Sequence, residues 1–365
     1  MTDRINPWAD DLITNYDGLF KEFGLQHFDD KILRRIKRKN RLLRRGMVFA
    51  HRDFDKFLDA AGAGKKSAVM SGIKPSGVFH LGSKMTAEEI VFIQREFGAK
   101  AFYCVADLEA YADNGMPLEA AAGVAVDNVA DLLALGLDEK NAVAYKQSES
   151  KTVSNLAFLF SKKTTLATLE ALYGHQNLGL YQSVLVQAGD ILHPELKETG
   201  GFKNVVVPVG VDQDPHIRFT RDLAYKFREE FGFVLPASTY HKTFRALNGE
   251  SKMSKRDPMN MLTLGDEPEQ AKKKVMHVFT GGRATVEEQK RLGGEYDKCV
   301  NAELDWMHFE EDDAAVAERR RKCLSGEIMC GECKAQVAEK VAAFLKAHAE
   351  RKKKLLPRAK KMLET

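Results

Sequence analysis

The sequence has no long apolar run and no recognisable export signal. None of its 365 residues belong to a stretch approaching the roughly 20 consecutive apolar residues of a membrane-spanning helix. Residues 1–4 are polar and do not begin a signal peptide. We therefore expect a cytoplasmic protein with no membrane partner. Internal repeats and low-complexity linkers are also lacking, and with 44% hydrophobic residues the chain can bury a large core in about two domains.

An excess of one charge is lacking as well. The chain carries 56 Lys and Arg against 52 Asp and Glu, which leaves a formal net charge of +4. The basic residues are nevertheless clustered in three segments, residues 34–39, 319–322 and 351–354. Such clusters suit a phosphate backbone, and the alternative is that each is a solvated helix face.

Cysteine is scarce, and its distribution is uneven. Cys104 stands in an apolar run and is typical of a buried core position. The other four cysteines all fall in the C-terminal third, at Cys299, Cys323, Cys330 and Cys333. A cytoplasmic protein rarely keeps structural disulfides, and a Cys-x2-Cys pair chelates metals, so these four are candidate metal ligands.

Short apolar runs alternate with helical stretches between residues 68 and 265. Strands are predicted at 68–70, 101–105, 142–145 and 205–209, and helices at 117–136 and 221–231. This alternation predicts an α/β fold with a Rossmann-like parallel sheet, followed by an all-helical C-terminal domain. We place a helical and irregular N-terminal segment at residues 1–60, the sheet domain at 61–265 and the helical domain at 266–365.

A first nucleotide-binding motif follows the strand at 68–70. It comprises Pro75, Ser76, Gly77, His80, Gly82 and Ser83. The pattern predicts strand, turn and helix, in which Ser83 or Thr86 caps the helix and free backbone amides attract phosphate. His80 could then donate to a phosphate oxygen. The plain alternative is an ordinary turn with a surface histidine.

A second basic motif stands about 170 residues later, on a predicted loop. It comprises Lys252, Met253, Ser254 and Lys255. The two lysines are three positions apart, so both ammonium groups can reach one polyphosphate and stabilise charge on a leaving pyrophosphate. A solvated lysine pair is the alternative interpretation.

A third motif, residues 210–222, begins where the strand at 205–209 ends. Ligands of parallel sheets bind beyond the carboxyl ends of the strands. Gly210, Asp212 and Gln213 therefore stand where a nucleotide ribose and a substrate amine could be bound.

The order of these three motifs resembles the class I aminoacyl-tRNA synthetases, and within them the tryptophanyl-tRNA synthetases of archaeal and eukaryotic type. Residues 5–8, 43–53 and 280–288 are similar to the same family. The resemblance implies that L-tryptophan and ATP, with Mg²⁺, give tryptophanyl-adenylate, and that the tryptophanyl group passes to the 3′ end of tRNA(Trp). It also implies a homodimer formed through an insertion in the catalytic domain, and a C-terminal domain that binds the anticodon.

The resemblance assigns roles to individual residues. The catalytic residues it implies are His80, Lys252, Ser254 and Lys255. The ATP-binding residues are Pro75, Ser76, Gly77, His80, Gly82, Ser83, Gly210, Asp212, Lys252, Met253, Ser254 and Lys255. The tryptophan-binding residues are Met70, Cys104, Glu109, Gln187, Asp190 and Gln213. In this assignment Asp190 accepts the indole N–H, and Gln213 contacts the α-amino end of the substrate.

Some positions depart from the family pattern, and two other functions stay open. Ser83 replaces a second histidine, Arg256 replaces a serine, and Met70 and Cys104 replace a tyrosine and a glutamine of the eukaryotic pocket. The alternatives are a tyrosyl-tRNA synthetase and a non-catalytic RNA-binding paralogue.

The spacing of Cys299, Cys323, Cys330 and Cys333 is similar to that of bacterial family members that carry a 4Fe-4S cluster. Thiolate ligation also suits zinc, and a site without metal is the third possibility.

Overall fold

The computed structural model describes residues 7–8, 16–250, 253 and 258–364, and a seven-stranded sheet forms its centre. The strands are β1 (Gln26–His27), β2 (Val48–Arg52), β3 (Ser67–Ile73), β4 (Lys100–Val105), β5 (Ala142–Lys146), β6 (Asn204–Gly210) and β7 (Ala237–His241). Their order across the sheet is β1-β2-β7-β6-β3-β4-β5.

Helices surround this sheet. Up to β7 they are α1 (Tyr16–Phe23), α2 (Asp30–Arg34), α3 (Arg41–Arg44), α4 (Phe54–Gly62), α5 (Leu81–Phe97), α6 (Asp107–Asn114), α7 (Leu118–Leu135), α8 (Lys151–Ser161), α9 (Leu166–Tyr173), α10 (Leu178–Leu192), α11 (Asp214–Lys226) and α12 (Arg228–Phe231). After β7 they are α13 (Pro268–Met276), α14 (Val286–Leu292), α15 (Val300–Leu304), α16 (Asp313–Leu324) and α17 (Cys330–Leu363). A π-helical turn, Asp305–Phe309, follows α15.

The five strands from β3 to β7 are parallel, which confirms the predicted sheet. The chain adds β4 and β5 on one side of β3 and then returns to add β6 and β7 on the other side. The connection that leaves β3 therefore runs to one side of the sheet, and the connection that leaves β6 runs to the other side. A crevice opens beyond the carboxyl ends of these two strands. This crevice holds the main cavity of the protein.

The N-terminal region differs from the prediction. Residues 1–60 were predicted to be helical and irregular, but the described part of this segment also contains β1 and β2. These strands run antiparallel to their neighbours and extend the sheet beyond β7. The strand β1 has only two residues, too few for a period-2 pattern, so its side chains gave no signal. The three domain boundaries stay predictions.

The prediction of a helical C-terminal region is confirmed, since every regular element described between residues 266 and 364 is helical. The long helix α17 packs against α7 through one continuous apolar cluster that includes Val129, Leu132, Val341 and Leu345. No helix in the part of the chain that the structure describes is long and apolar enough to cross a bilayer.

Candidate active site

The main cavity has a volume of about 710 Å³ and lies at the carboxyl edge of the parallel strands. Its floor comes from β3 and β6, through Met70, Gly72 and Val209. Helices α5, α6 and α10 form its walls. A cavity of this size can hold a ligand as large as a nucleotide.

The turn after β3 leads into α5, whose first residue is Leu81. The helix is capped by His80, whose Nδ1 accepts from the backbone N–H of Ser83 at 3.3 Å. The expectation that Ser83 or Thr86 caps the helix is therefore wrong, because the helix starts two residues before Ser83. Thr86 instead shares a hydrogen bond with His241 Nε2 at 2.9 Å. The amide-rich start of α5 faces the cavity, where it suits an anion.

The motif after β6 forms a short 3-10 turn, Val211–Gln213, and α11 begins directly after it at Asp214. The predicted helix start at residue 221 is therefore wrong by about two turns. Pro215 at the first turn has the backbone angle of a helix and no N–H to satisfy, which favours this start. A Cβ on Gly210 would lie 2.4 Å from Asp212 Oδ1, so a larger residue here would displace the Asp212 carboxylate.

Asp190 lies on α10 and is fully buried at one end of the cavity. Its Oδ1 accepts from the Tyr145 hydroxyl at 2.8 Å, and its Oδ2 accepts from Gln147 Nε2 at 2.6 Å. Burial raises the pKa of Asp190 to about 7, and these donors together with Cys104 limit the rise. Asp190 thus titrates near neutral pH inside a ligand-sized cavity, which is typical of functional carboxyl groups.

A second carboxyl group, Glu109 on α6, lies in the wall of the same cavity. Its Oε1 accepts from Trp8 Nε1 at 3.2 Å and is 3.9 Å from Lys74 Nζ. Lys74 is also paired with Asp113. Burial raises the pKa of Glu109, and the Lys74 ammonium opposes this rise.

Most of the predicted site residues line this one cavity. They are Met70, Ser76, His80, Gly82, Ser83, Cys104, Glu109, Gln187, Asp190, Gly210, Asp212, Gln213 and Met253. Pro75 and Gly77 belong to the same turn but do not line the cavity. Lys252, Ser254 and Lys255 lie outside the described residues. Met253 is buried, and its backbone N–H donates to the Phe244 carbonyl at 3.0 Å.

Several residues that line the cavity were not predicted to do so from the sequence, namely Trp8, Lys74, Gln147 and His241. Lys74 and Gln147 could have been predicted as candidate ligand-binding residues, because each directly follows the carboxyl end of a strand of the parallel sheet. Trp8 belongs to a segment that resembles the family, but neither it nor His241 could be placed at the cavity from the sequence, because only the folded chain brings them there.

The four C-terminal cysteines converge on a second, small cavity of about 20 Å³. It is lined by Thr280, Tyr296, Cys299, Asn301, Ala302, Arg319, Cys323, Ile328, Cys330 and Cys333. Asn301 Nδ2 donates to Cys333 Sγ at 3.4 Å. Burial raises the pKa of the Cys323 thiol to about 11. Across the described ranges, no group of three or more His, Cys, Asp or Glu side chains has an arrangement that could hold a metal ion.

A sheet with this switch point, together with a helix N-terminus and two carboxyl groups at one cavity, is typical of enzymes that bind nucleotides. The family described as tRNA synthetases class I (W and Y) matches residues 63–346. The chain belongs to this family.

Within the family, the chain is similar over its full length to tryptophan–tRNA ligases. The enzyme of Aeropyrum pernix is 42% identical over 99% of this chain and 98% of its own length, and that of Methanocaldococcus jannaschii is 39% identical over the same shares. The crystal structure of tryptophanyl-tRNA synthetase from Aeropyrum pernix superposes with a TM-score of 0.92 and covers 96% of each chain.

Proposed function

We propose that this protein is a tryptophan–tRNA ligase, which activates L-tryptophan with ATP and transfers it to the 3′ end of tRNA(Trp). The observation that carries the proposal is the buried Asp190, a hydrogen-bond acceptor in the same cavity as the phosphate turn. Full-length similarity to relatives named tryptophan–tRNA ligase supports the same substrate.

At the amino-acid end, we assign the indole N–H to Asp190 and the α-ammonium to Glu109, Gln187 and Gln213. An apolar pocket with one buried acceptor rejects a side chain that lacks the donor, because the acceptor would be left unpaired. Met70 and Cys104 supply part of the apolar wall. The carboxylate of the substrate then points away from Asp190, toward the phosphate turn.

At the nucleotide end, the start of α5 and His80 bind phosphate oxygens, and Gly210 with Asp212 contacts the ribose. Ser76, Gly82 and Ser83 complete this wall. The substrate carboxylate attacks the α-phosphate, and pyrophosphate leaves. Lys252 and Lys255, together with Ser254, would stabilise the negative charge that develops on the leaving pyrophosphate, and Mg²⁺ would supply further positive charge there.

Charging of tRNA tests both steps together. We expect the purified protein to attach radiolabelled tryptophan to a transcript of tRNA(Trp) in a reaction that requires ATP and Mg²⁺. A transcript of tRNA(Tyr) with tyrosine is the matched control, and it should remain uncharged. Charging of tRNA(Tyr) instead, or of neither transcript, would refute the proposal.

The proposed site for a metal group is the set of four cysteines. The donor set suits a 4Fe-4S cluster or zinc, and it would link the region before α15 to α16 and α17. Because the described side chains have no arrangement that could hold a metal ion, binding of either group would require the four thiols to rearrange. Iron, sulfide and zinc contents after anaerobic purification decide between them, and fully active metal-free protein rules both out.

We also propose a homodimer that forms through the α8–α10 region. Several large apolar side chains are exposed on α6 and on helices α8 to α10, namely Tyr111, Phe158, Leu166 and Leu178. Phe158 is 77% exposed and Leu178 is 79% exposed, which is unfavourable unless a partner covers them. Light scattering should give a dimer for the native protein and a monomer for Phe158→Glu; a native monomer contradicts this.

A further inference from the structure

Gln147 stands at the carboxyl end of β5, in the short 3-10 helix Gln147–Glu149. Its side chain is 1% exposed and lines the main cavity. The family motifs quoted above do not include it. Its Nε2 donates to Asp190 Oδ2 at 2.6 Å, so Gln147 lies beside the acceptor that we assign to the indole N–H.

The orientation of the Gln147 amide follows from this contact. An ionised carboxylate only accepts hydrogen bonds, so the NH₂ group must face Asp190 and the carbonyl oxygen must face away from it. That oxygen, Oε1, is buried and has no hydrogen-bond partner among the residues that the structure describes. A buried acceptor without a donor is unfavourable. Among the described residues with such an unpartnered buried atom, Gln147 is the one that lines the main cavity.

We infer that Gln147 is a specificity-determining residue for the amino-acid substrate, and that its Oε1 accepts a hydrogen bond from the ring N–H beside Asp190. The indole nitrogen then lies between two acceptors, one charged and one neutral. This inference rests on the proposed function, because it requires a substrate with a ring N–H donor at this end of the cavity.

A competing explanation is that Gln147 only holds Asp190 in place. Tyr145 provides the comparison, because its hydroxyl also donates to Asp190, at 2.8 Å, but its side chain does not line the cavity. Tyr145→Phe therefore removes one donor to Asp190 and leaves both acceptors. Gln147→Met, which is similar in size, removes one donor to Asp190 and one acceptor.

The experiment compares tryptophan with its benzothiophene analogue, in which a sulfur atom replaces the indole N–H. The preference is the ratio of kcat/KM values in ATP–pyrophosphate exchange, measured about two pH units above the pKa of Asp190 so that this group is ionised. We expect Gln147→Met to reduce the preference for tryptophan about tenfold or more, and Tyr145→Phe to reduce it less than about threefold.

Equal losses of preference in the two variants, or an unchanged preference in Gln147→Met, would overturn the inference. A wild-type protein without tryptophan-dependent exchange would instead overturn the proposed function, and the inference with it. Circular dichroism checks that both variants fold. If Gln147→Met does not fold, a crystal structure of the wild-type tryptophan complex decides, with the indole nitrogen expected within about 3.2 Å of Oε1. A nitrogen beyond that reach contradicts the assignment.

Discussion

Asp190 is a carboxyl group that the protein keeps away from water at the bottom of a ligand-sized cavity. Tyr145, Gln147 and Cys104 donate to it, and burial still raises its pKa to about 7. Its charge state therefore changes within the range in which enzymes work. An ionised carboxylate is a stronger acceptor for a ring N–H than a protonated acid, so the proposed contact of Asp190 would depend on its charge.

This titration predicts a pH dependence of tryptophan use. Because the pKa of Asp190 is raised to about 7, the ionised form is lost as the pH falls through that value. We expect kcat/KM for tryptophan in pyrophosphate exchange to be constant above about pH 8 and to fall below about pH 7, since this parameter reports the free enzyme.

Asp190→Asn is the matched variant for this profile. It should lower kcat/KM for tryptophan about a hundredfold or more and remove the titration near neutral pH. An unchanged pH profile in Asp190→Asn would assign the titration to another group, such as Glu109.

The family pattern led to Asp190 and Glu109 because each stands within a recognisable segment. Gln147 and Lys74 each follow a strand of the parallel sheet, but that position does not identify the side chains that they contact. Gln147 and Asp190 are 43 positions apart, and only the fold brings them to 2.6 Å. Buried polar networks of this kind depend on tertiary distance, which the residue order does not specify.

At the scale of elements, the close approach of β3 to β4 shapes the amino-acid end of the cavity. The two strands are parallel, with Gly72 paired to Cys104. A Cβ on Gly72 would lie 2.3 Å from Cys104 Sγ and 2.6 Å from the Cys104 carbonyl oxygen. The backbone oxygen cannot move aside without displacing β4, so the position requires glycine.

We therefore predict that Gly72→Ala lowers the free energy of unfolding by about 2 kcal/mol or more and weakens tryptophan binding. Gly123→Ala on α7 is the control, because a Cβ there meets nothing within 4 Å and alanine favours a helix by up to about 1 kcal/mol. Denaturant unfolding of both variants is the measurement. Equal stability of the two would contradict the steric account.

Helices and strands were predictable where the apolar residues follow a clear period along the sequence. The strands β4, β5 and β6 and the helix α7 end within about two residues of their predicted bounds, as is usual for periodic segments. The start of α11 was predicted too late because the polar motif residues in its first two turns interrupt the hydrophobic pattern of a helix. The antiparallel strands β1 and β2 were missed because their edge pairing depends on β7, which is distant in sequence.

At the scale of the whole molecule, a buried charge network joins three parts of the chain. Glu88 on α5 accepts from Arg41 of the N-terminal segment and, at 2.7 Å, from Lys84. Lys84 also donates to the His308 carbonyl of the C-terminal region at 3.2 Å. Burial lowers the pKa of Lys84 to about 8, which the Glu88 carboxylate opposes. The network thus anchors α5 to both flanking regions.

Neutralising the Glu88 carboxylate should destabilise the folded protein. We predict that Glu88→Gln lowers the free energy of unfolding by about 3 kcal/mol, because it leaves the buried Lys84 without its carboxylate partner and Arg41 with Glu311 alone. Asp59→Asn on α4 is the control: its side chain is 71% exposed and that of its partner Arg35 is 37% exposed, so the loss should stay below about 1 kcal/mol. Chemical denaturation compares them, and similar losses would argue against the network.

The central claim is that this cavity activates tryptophan, and ATP–pyrophosphate exchange tests it most directly. The purified protein is supplied with ATP, Mg²⁺ and labelled pyrophosphate, and with either tryptophan or tyrosine. We predict exchange with tryptophan, and a kcat/KM for tyrosine lower by about a thousandfold or more. Exchange driven by tyrosine, or by neither amino acid, would contradict the account.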